Sequence, residues 1–243
     1  MKTKRAHRWA GACARGVLLC ALAGVFAADR QAPGGGVNGA TSYQRMARLE
    51  EYLMPNASAE IALARSAAPA AISGKATILT LKPQGYEAAV QGSNGFTCLV
   101  ERSWMSPFDD QEFWNPKKRG PVCYNPAASK SILAYTLRRT KLALAGRSRA
   151  QMLDEVRAAV ARKELLRPEP GAMSFMMSKD GYLGDAEGHW HSHLMFHVPK
   201  AEAASWGANL PGSPVLLDER PVPEPETIFM VPLAHWSDGT AAP

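Results

Sequence analysis

The order of residues at the amino terminus sets the conditions under which the rest of this chain must fold. Lys2, Lys4, Arg5, Arg8 and Arg15 precede an apolar run from Val17 to Ala27, and small residues stand at Ala27 and Ala28. A basic segment, a short apolar run and small residues, in that order, make a secretory signal peptide. The run has 11 residues, about half of the roughly 20 that a membrane-spanning helix needs. Residues 1–27 are therefore predicted to be a cleaved signal peptide, with the remainder folding in the periplasm or outside the cell. Cys20 follows Leu18 and Leu19, whereas a lipoprotein site needs a small residue just before its cysteine, so no lipid anchor is expected there. No later segment is long and apolar enough to cross a bilayer, so no stable membrane insertion is expected.

Cleavage changes the charge balance. The whole chain has 28 basic and 22 acidic residues. Five of the basic ones belong to the leader, which leaves 23 against 22. A nearly neutral chain has no electrostatic footprint for a polyanion, and no nucleic-acid partner is expected. Cys13 and Cys20 leave with the leader, so Cys98 and Cys123 are the remaining thiols, and in an oxidising compartment they are predicted to pair. Residues 28–40, with Gly34, Gly35 and Gly36 in a row, read as a flexible lead-in. Residues 41–243 are enough for one sizeable core and are predicted to form a single globular domain.

Periodicity predicts a helix from Thr41 or Ser42, with Met46, Leu49 and Leu53 on one stripe and Pro55 ending it, and a second helix from Ser58 to Ser66. Lys75–Leu81, Tyr86–Val90 and Phe96–Val100 read as a three-stranded antiparallel meander, with Asn94-Gly95 as its best hairpin signal. Two helices are expected over Ser129–Ala145 and Arg149–Lys163, the second opened by a Ser148/Gln151 capping box. Lys130, Arg138, Arg139, Lys141, Arg147, Arg149, Arg157 and Arg162 would give this pair a basic outer face. Strands return at Ala172–Met177, His189–Val198, Val215–Leu217 and Thr227–Val231. The fold class is therefore α+β, an antiparallel sheet with several helices packed on it.

Two segments carry the candidate chemistry. In the run His189 to His197, alternation would place His189, His191, His193, Met195 and His197 on one strand face. Trp190, Ser192, Leu194, Phe196 and Val198 would then pack on the core. Imidazole binds zinc and copper, so His189, His191 and His193 form a candidate metal site. Residues two apart are about 6.6 Å apart along a strand, so only two of the three rings can easily share an ion. A further ligand would come from His235, Asp185, Glu187, Asp109 or Asp110, and Met195 would favour copper over zinc. The same imidazoles could equally line a polar sheet face that binds nothing. The second segment, Ser103 to Pro126, is predicted to be a long irregular loop rich in aromatic rings: Trp104, Phe108, Phe113, Trp114 and Tyr124. If exposed, these rings could hold a ligand or partner. No G-x-S-x-G elbow, phosphate-binding glycine loop or C-x-x-C pair occurs in the chain, and no catalytic residue can be assigned.

The stretches Glu60–Pro69, Gly95–Arg102 and Gly188–Phe196 resemble those of a group of exported bacterial proteins of unassigned function. The resemblance implies a bacterial source and a periplasmic or secreted location, and it brings no catalytic residue and no substrate. Two function classes stay open. One is an extracytoplasmic metal-binding protein, with hydrolysis by metal-activated water as one outcome. The other is a non-catalytic ligand- or partner-binding module built on the aromatic loop 103–124.

Overall fold

The computed structural model of the protein describes residues 43–185, 188, 190–217 and 222–243. The predicted signal peptide at 1–27 and the lead-in at 28–40 lie outside the described residues. Among the described residues three short helices come first: α1 (Leu49–Tyr52), α2 (Ala57–Arg65) and α3 (Ala70–Ser73). The helix expected up to Pro55 is a single turn, because the chain is still extended at Arg48 and extended again at Leu53. Tyr52 is the anchor of this turn; it is fully buried and its hydroxyl donates to the Trp114 carbonyl at 2.7 Å. Asn56 caps α2 by accepting from the Ala59 N–H at 2.9 Å, which satisfies one of the orphan donors of a helix start.

Eight strands follow: β1 (Thr77–Lys82), β2 (Gly85–Val90), β3 (Thr97–Glu101), β4 (Gly120–Tyr124), β5 (Met173–Met176), β6 (His193–Pro199), β7 (Leu216–Leu217) and β8 (Glu226–Pro232). They form one sheet in the order β2-β1-β3-β4-β5-β6-β8-β7. Every neighbouring pair is antiparallel except β1 and β3, which run parallel. The sheet is thus mixed, and the class is α+β.

The parallel pair corrects the expected meander. β3 lies beside β1, not beside β2, so the Asn94-Gly95 turn closes no hairpin. The chain leaves β2 and crosses the start of β1, where the Ser93 N–H donates to the Lys75 carbonyl at 2.8 Å and the Thr77 N–H donates to the Phe96 carbonyl at 2.9 Å. Only a glycine permits this crossing. A Cβ on Gly92 would overlap the backbone of Ala76 and Thr77 and lie 2.6 Å from the Lys75 oxygen.

β4 is a second correction, because it occupies the end of the stretch expected to be irregular. Pro121 hides it in the sequence, since proline cannot donate to a ladder. The residue is tolerated because β5 pairs only with Cys123 and Tyr124, so at Pro121 the strand has β3 alone as a neighbour. Cys98 stands directly opposite Cys123, and the two form a disulfide across a sequence separation of 25. Closing a loop of that length stabilises the fold by about 3.5 kcal/mol in the chain-entropy account.

Alternation along the central strands divides the interior into two cores. Cys98, Val100, Cys123 and Ile78 pack with Ala64 and Ala67 under α2. Leu99, Val122, Tyr124 and Met176 face the other way. There they meet α5 (Leu133–Leu144), α6 (Arg149–Ala161) and the rings of Trp104, Phe113 and Trp114. A short helix, α4 (Pro126–Ser131), precedes α5, so the region expected as one helix is two with a joint at Ile132. The Ser148/Gln151 capping box opens α6 as predicted. No helix among the described residues is long and apolar enough to cross a membrane.

Substituting Gly92→Ala should lower stability by about 3 kcal/mol, since the backbone atoms it meets have nowhere to move. Urea unfolding measures this, and an unchanged midpoint would show that the crossing is looser than described.

Candidate functional site

The larger core does not fill the space above β5, β6 and β8. A cavity of about 380 Å³ opens there, within the 300–1,000 Å³ range usual for small-molecule sites. Its floor is the sheet, through Met176, His193, Met195 and Met230. Its walls are Glu101, the segment Arg102–Pro107 with Asp110 and Lys118, and the indole of Trp190. Trp190 is seated by a bond from its Nε1 to the Ser178 carbonyl at 2.8 Å. It lies so close to Gly181 that a Cβ there would come within 2.6 Å of the indole nitrogen.

Two buried arginines hold the wall in place. Arg139 on α5 pairs with both oxygens of Glu224 at 2.7 and 2.9 Å. Its third nitrogen donates to the carbonyls of Trp104, Met105 and Ser106 at 3.3, 3.3 and 2.9 Å, and the guanidinium lies 4.3 Å from the Phe108 ring centroid. Arg102 is buried in an ion pair with Glu60 at 2.8 Å and donates to the Tyr52 carbonyl at 2.7 Å. Glu60 in turn accepts from the Leu81 N–H at 3.0 Å. Both cations are paired and bonded to carbonyls, as burial of charge requires. Arg139 is thus not part of a basic outer face, as its place in the sequence led one to expect.

Three polar groups face the cavity with distinct electrostatics. Burial pushes the Glu101 carboxyl up from its ordinary value, against the opposing bonds from Tyr124 and Thr136, which donate to Oε1 at 2.5 and 3.1 Å. Asp110 is also penalised by burial, but Lys118 at 2.7 Å and the Glu112 N–H outweigh it and hold the carboxyl below its usual value. Burial likewise lowers the pKa of His193, with a partial offset from its bond to the His191 carbonyl. That bond is 2.6 Å long and joins Nδ1 to an oxygen that can only accept. Nδ1 therefore carries the proton and Nε2 the lone pair.

The structure places the sequence-derived metal residues as follows. His189 lies outside the described residues, as does Glu187. His191 is exposed and precedes β6, so it does not continue the strand face. His193 lines the cavity. Of the other candidates, Asp109 and His235 are exposed. Asp110 is bound to Lys118, and Asp185 is held to about 2 by bonds from Tyr182, Tyr43 and Lys117. Among the described residues no group of three His, Cys, Asp or Glu side chains converges as a metal site.

Trp190 and Ser192 are buried as expected, but within β6 itself the expected facing is reversed. Met195 packs against the larger core and His197 is buried, so the histidine-bearing face looks inward. Phe196, on the other face, makes a tilted contact with Trp206 at 6.0 Å between ring centroids. His197 has both nitrogens engaged, Nδ1 with Glu226 at 2.8 Å and Nε2 with Ser174 at 3.0 Å. The order of partners in Ser174–His197–Glu226 is that of a nucleophile, base and acid. Ser174 is 0% exposed and is absent from the cavity wall, so no substrate carbonyl can reach its hydroxyl and the chain of bonds is structural.

The aromatic loop also differs from expectation. Trp104 and Phe113 are 0% exposed, and Trp114 and Tyr124 are buried, so these rings are core and offer no exposed binding surface. It is the small and polar residues between them, Ser103, Ser106, Asp110 and Lys118, that meet the cavity. Glu224 and the methionines Met105, Met176 and Met230 were missed by sequence reasoning, whereas Met195 was read as a partner of the histidine set and Arg139 as part of an outer face.

Comparison with protein-family models, with curated proteins and with solved structures finds no match.

The Glu101 shift has a defined pH consequence. The folded chain retains a proton on Glu101 above the ordinary value of 4.5, where the unfolded chain has lost it, so this group costs stability as pH rises through that window. Glu101→Gln keeps the acceptor for Tyr124 and removes the cost. The variant should be more stable than the native protein at pH 7, with the gain fading as pH falls and gone below 4.5. Thermal unfolding across pH checks it; a gain independent of pH, or a loss at pH 7, would contradict the assignment.

Proposed function

We propose that this chain is an exported binding protein, periplasmic or secreted, which takes a small and mostly apolar ligand into the cavity over β6. The observation that carries this reading is the composition of the cavity wall. Four methionines and an indole supply soft apolar surface, and methionine adapts its shape to a ligand at little cost. Most polar groups at the wall are already paired, Asp110 with Lys118 and Arg102 with Glu60. Three have capacity left: the second oxygen of Glu101, the Ser103 hydroxyl and Nε2 of His193, as an acceptor. A ligand with a few polar groups, one of them a donor to His193, on an otherwise apolar body matches that set, since a few placed polar groups orient a ligand in an apolar pocket.

The leader pattern, the Cys98–Cys123 disulfide and the resemblance to exported bacterial proteins together support the extracytoplasmic location, since disulfides persist in oxidising compartments. The aromatic loop keeps its place in this reading, but as the scaffold of a wall. No nucleic-acid partner is part of it.

Titration with 1-anilinonaphthalene-8-sulfonate tests the cavity. One saturable site is expected in the folded protein. Met195→Trp, which fills the space with an indole, should weaken that binding at least tenfold while the near-ultraviolet circular dichroism of the fold persists. Absence of saturable binding, or equal binding in the folded Met195→Trp variant, would overturn the reading.

A further inference from the structure

The cavity floor carries an arrangement that apolar packing alone does not call for. In the β5–β6 register Met176 stands directly opposite His193, and in the β6–β8 register Met195 stands directly opposite Met230. His193 and Met195 are two apart on β6, so all four share one face, and all four line the cavity. Directly opposed residues have Cβ atoms about 5 Å apart, and the two on β6 are about 6.6 Å apart. Met176 and Met230 flank β6 on opposite sides with about 12 Å between their Cβ atoms, so both cannot reach one ion. Met176 is packed into the larger core, and the β6 pair with Met230 can meet above the patch, since a methionine side chain turns about three bonds. We infer that His193, Met195 and Met230 form a binding site for a cuprous ion on the floor of the cavity.

The donor set selects the metal. Thioether and imidazole ligands are soft and suit Cu(I), whereas harder cations seek carboxylates. Of the carboxylates at the cavity, Asp110 is bound by Lys118 and Glu101 is held at Oε1 by Tyr124 and Thr136, which leaves one oxygen of Glu101 against two thioethers and an imidazole. His193 is already oriented as a ligand. Its Nδ1–H is committed to the His191 carbonyl, the usual outer contact of a metal-binding imidazole, and its Nε2 lone pair has no partner among the described residues. Trp190 closes one side, with its ring edge-on to the imidazole at 5.8 Å. This site differs from the His189–His191–His193 set expected from the sequence: one histidine is shared, and the other donors are sulfurs, one from β6 itself and one from β8 beside it. It rests on the cavity of the proposed function only in sharing its floor.

The test is competition for Cu(I) against bicinchoninate, in ascorbate under nitrogen, with the intact disulfide-bonded protein. One equivalent of copper should move from the chelator to the protein, and X-ray absorption should show sulfur with nitrogen around it. Met195→Leu and Met230→Leu conserve volume and remove sulfur. Each should weaken Cu(I) binding at least tenfold while the copper-free melting temperature stays as in the native protein. His193→Phe should do the same to copper. The inference is overturned if bicinchoninate keeps the copper, or if the folded Met195→Leu/Met230→Leu double variant binds it as tightly as the native protein. It is equally overturned if His191→Ala abolishes binding while the methionine variants do not. Dye binding without copper uptake defeats the ion and leaves the cavity reading standing; copper uptake without dye binding does the reverse.

Discussion

The Arg139–Glu224 pair is the interaction on which the cavity depends. Its guanidinium spans from α5 to a carboxylate 85 positions later, and on the way it gathers three consecutive carbonyls of the segment after β3. Those carbonyls belong to a 3₁₀ turn, Ser103–Met105, and to the residue after it, so most of their bonding capacity would otherwise face a water-poor interior. Removing one partner of a buried pair costs about 3–5 kcal/mol, because the other is left charged and unmatched. That penalty is why the segment returns across the sheet as a fixed wall instead of collapsing onto the methionine floor.

Two cores of different character follow from the same sheet. On the α2 face the strands present Cys98, Val100 and Cys123 to alanines, and close packing of small residues plus the disulfide make this the rigid side. On the other face aromatic rings, α5 and α6 bury most of the sheet but leave the strip over β5, β6 and β8 open. Polar groups of the site stand at the border between the filled and open halves: Glu101 and His193 at the cavity, and His197 behind them with both nitrogens engaged.

How much of this could be read from the residues varies by element. α2, α6 with its Ser148 cap, the β1–β2 turn and the cystine were legible because each is set by local chemistry or by compartment. The placement of β3 was not, since Asn94-Gly95 makes the same turn whether or not a hairpin follows, and the decisive feature is a steric one at Gly92. β4 was hidden by Pro121. Alternation in β6 was visible, but with both faces covered it could not say which face looks into the larger core, and the more apolar one was wrongly given that role. Arg139 reads in the sequence like any other basic residue of an exposed helix; its carboxylate partner lies too far along the chain for pattern to find. The methionines of the floor come from three strands whose order was itself unreadable.

Amide hydrogen exchange on the Arg139→Met variant tests the central claim most directly. If Arg139 holds the wall, the amides of residues 103–118 should exchange at least tenfold faster than in the native protein while those of β3, β5 and β6 remain protected. Unchanged protection of 103–118 in a folded variant would contradict the account, because the wall would then stand without the interaction said to support it.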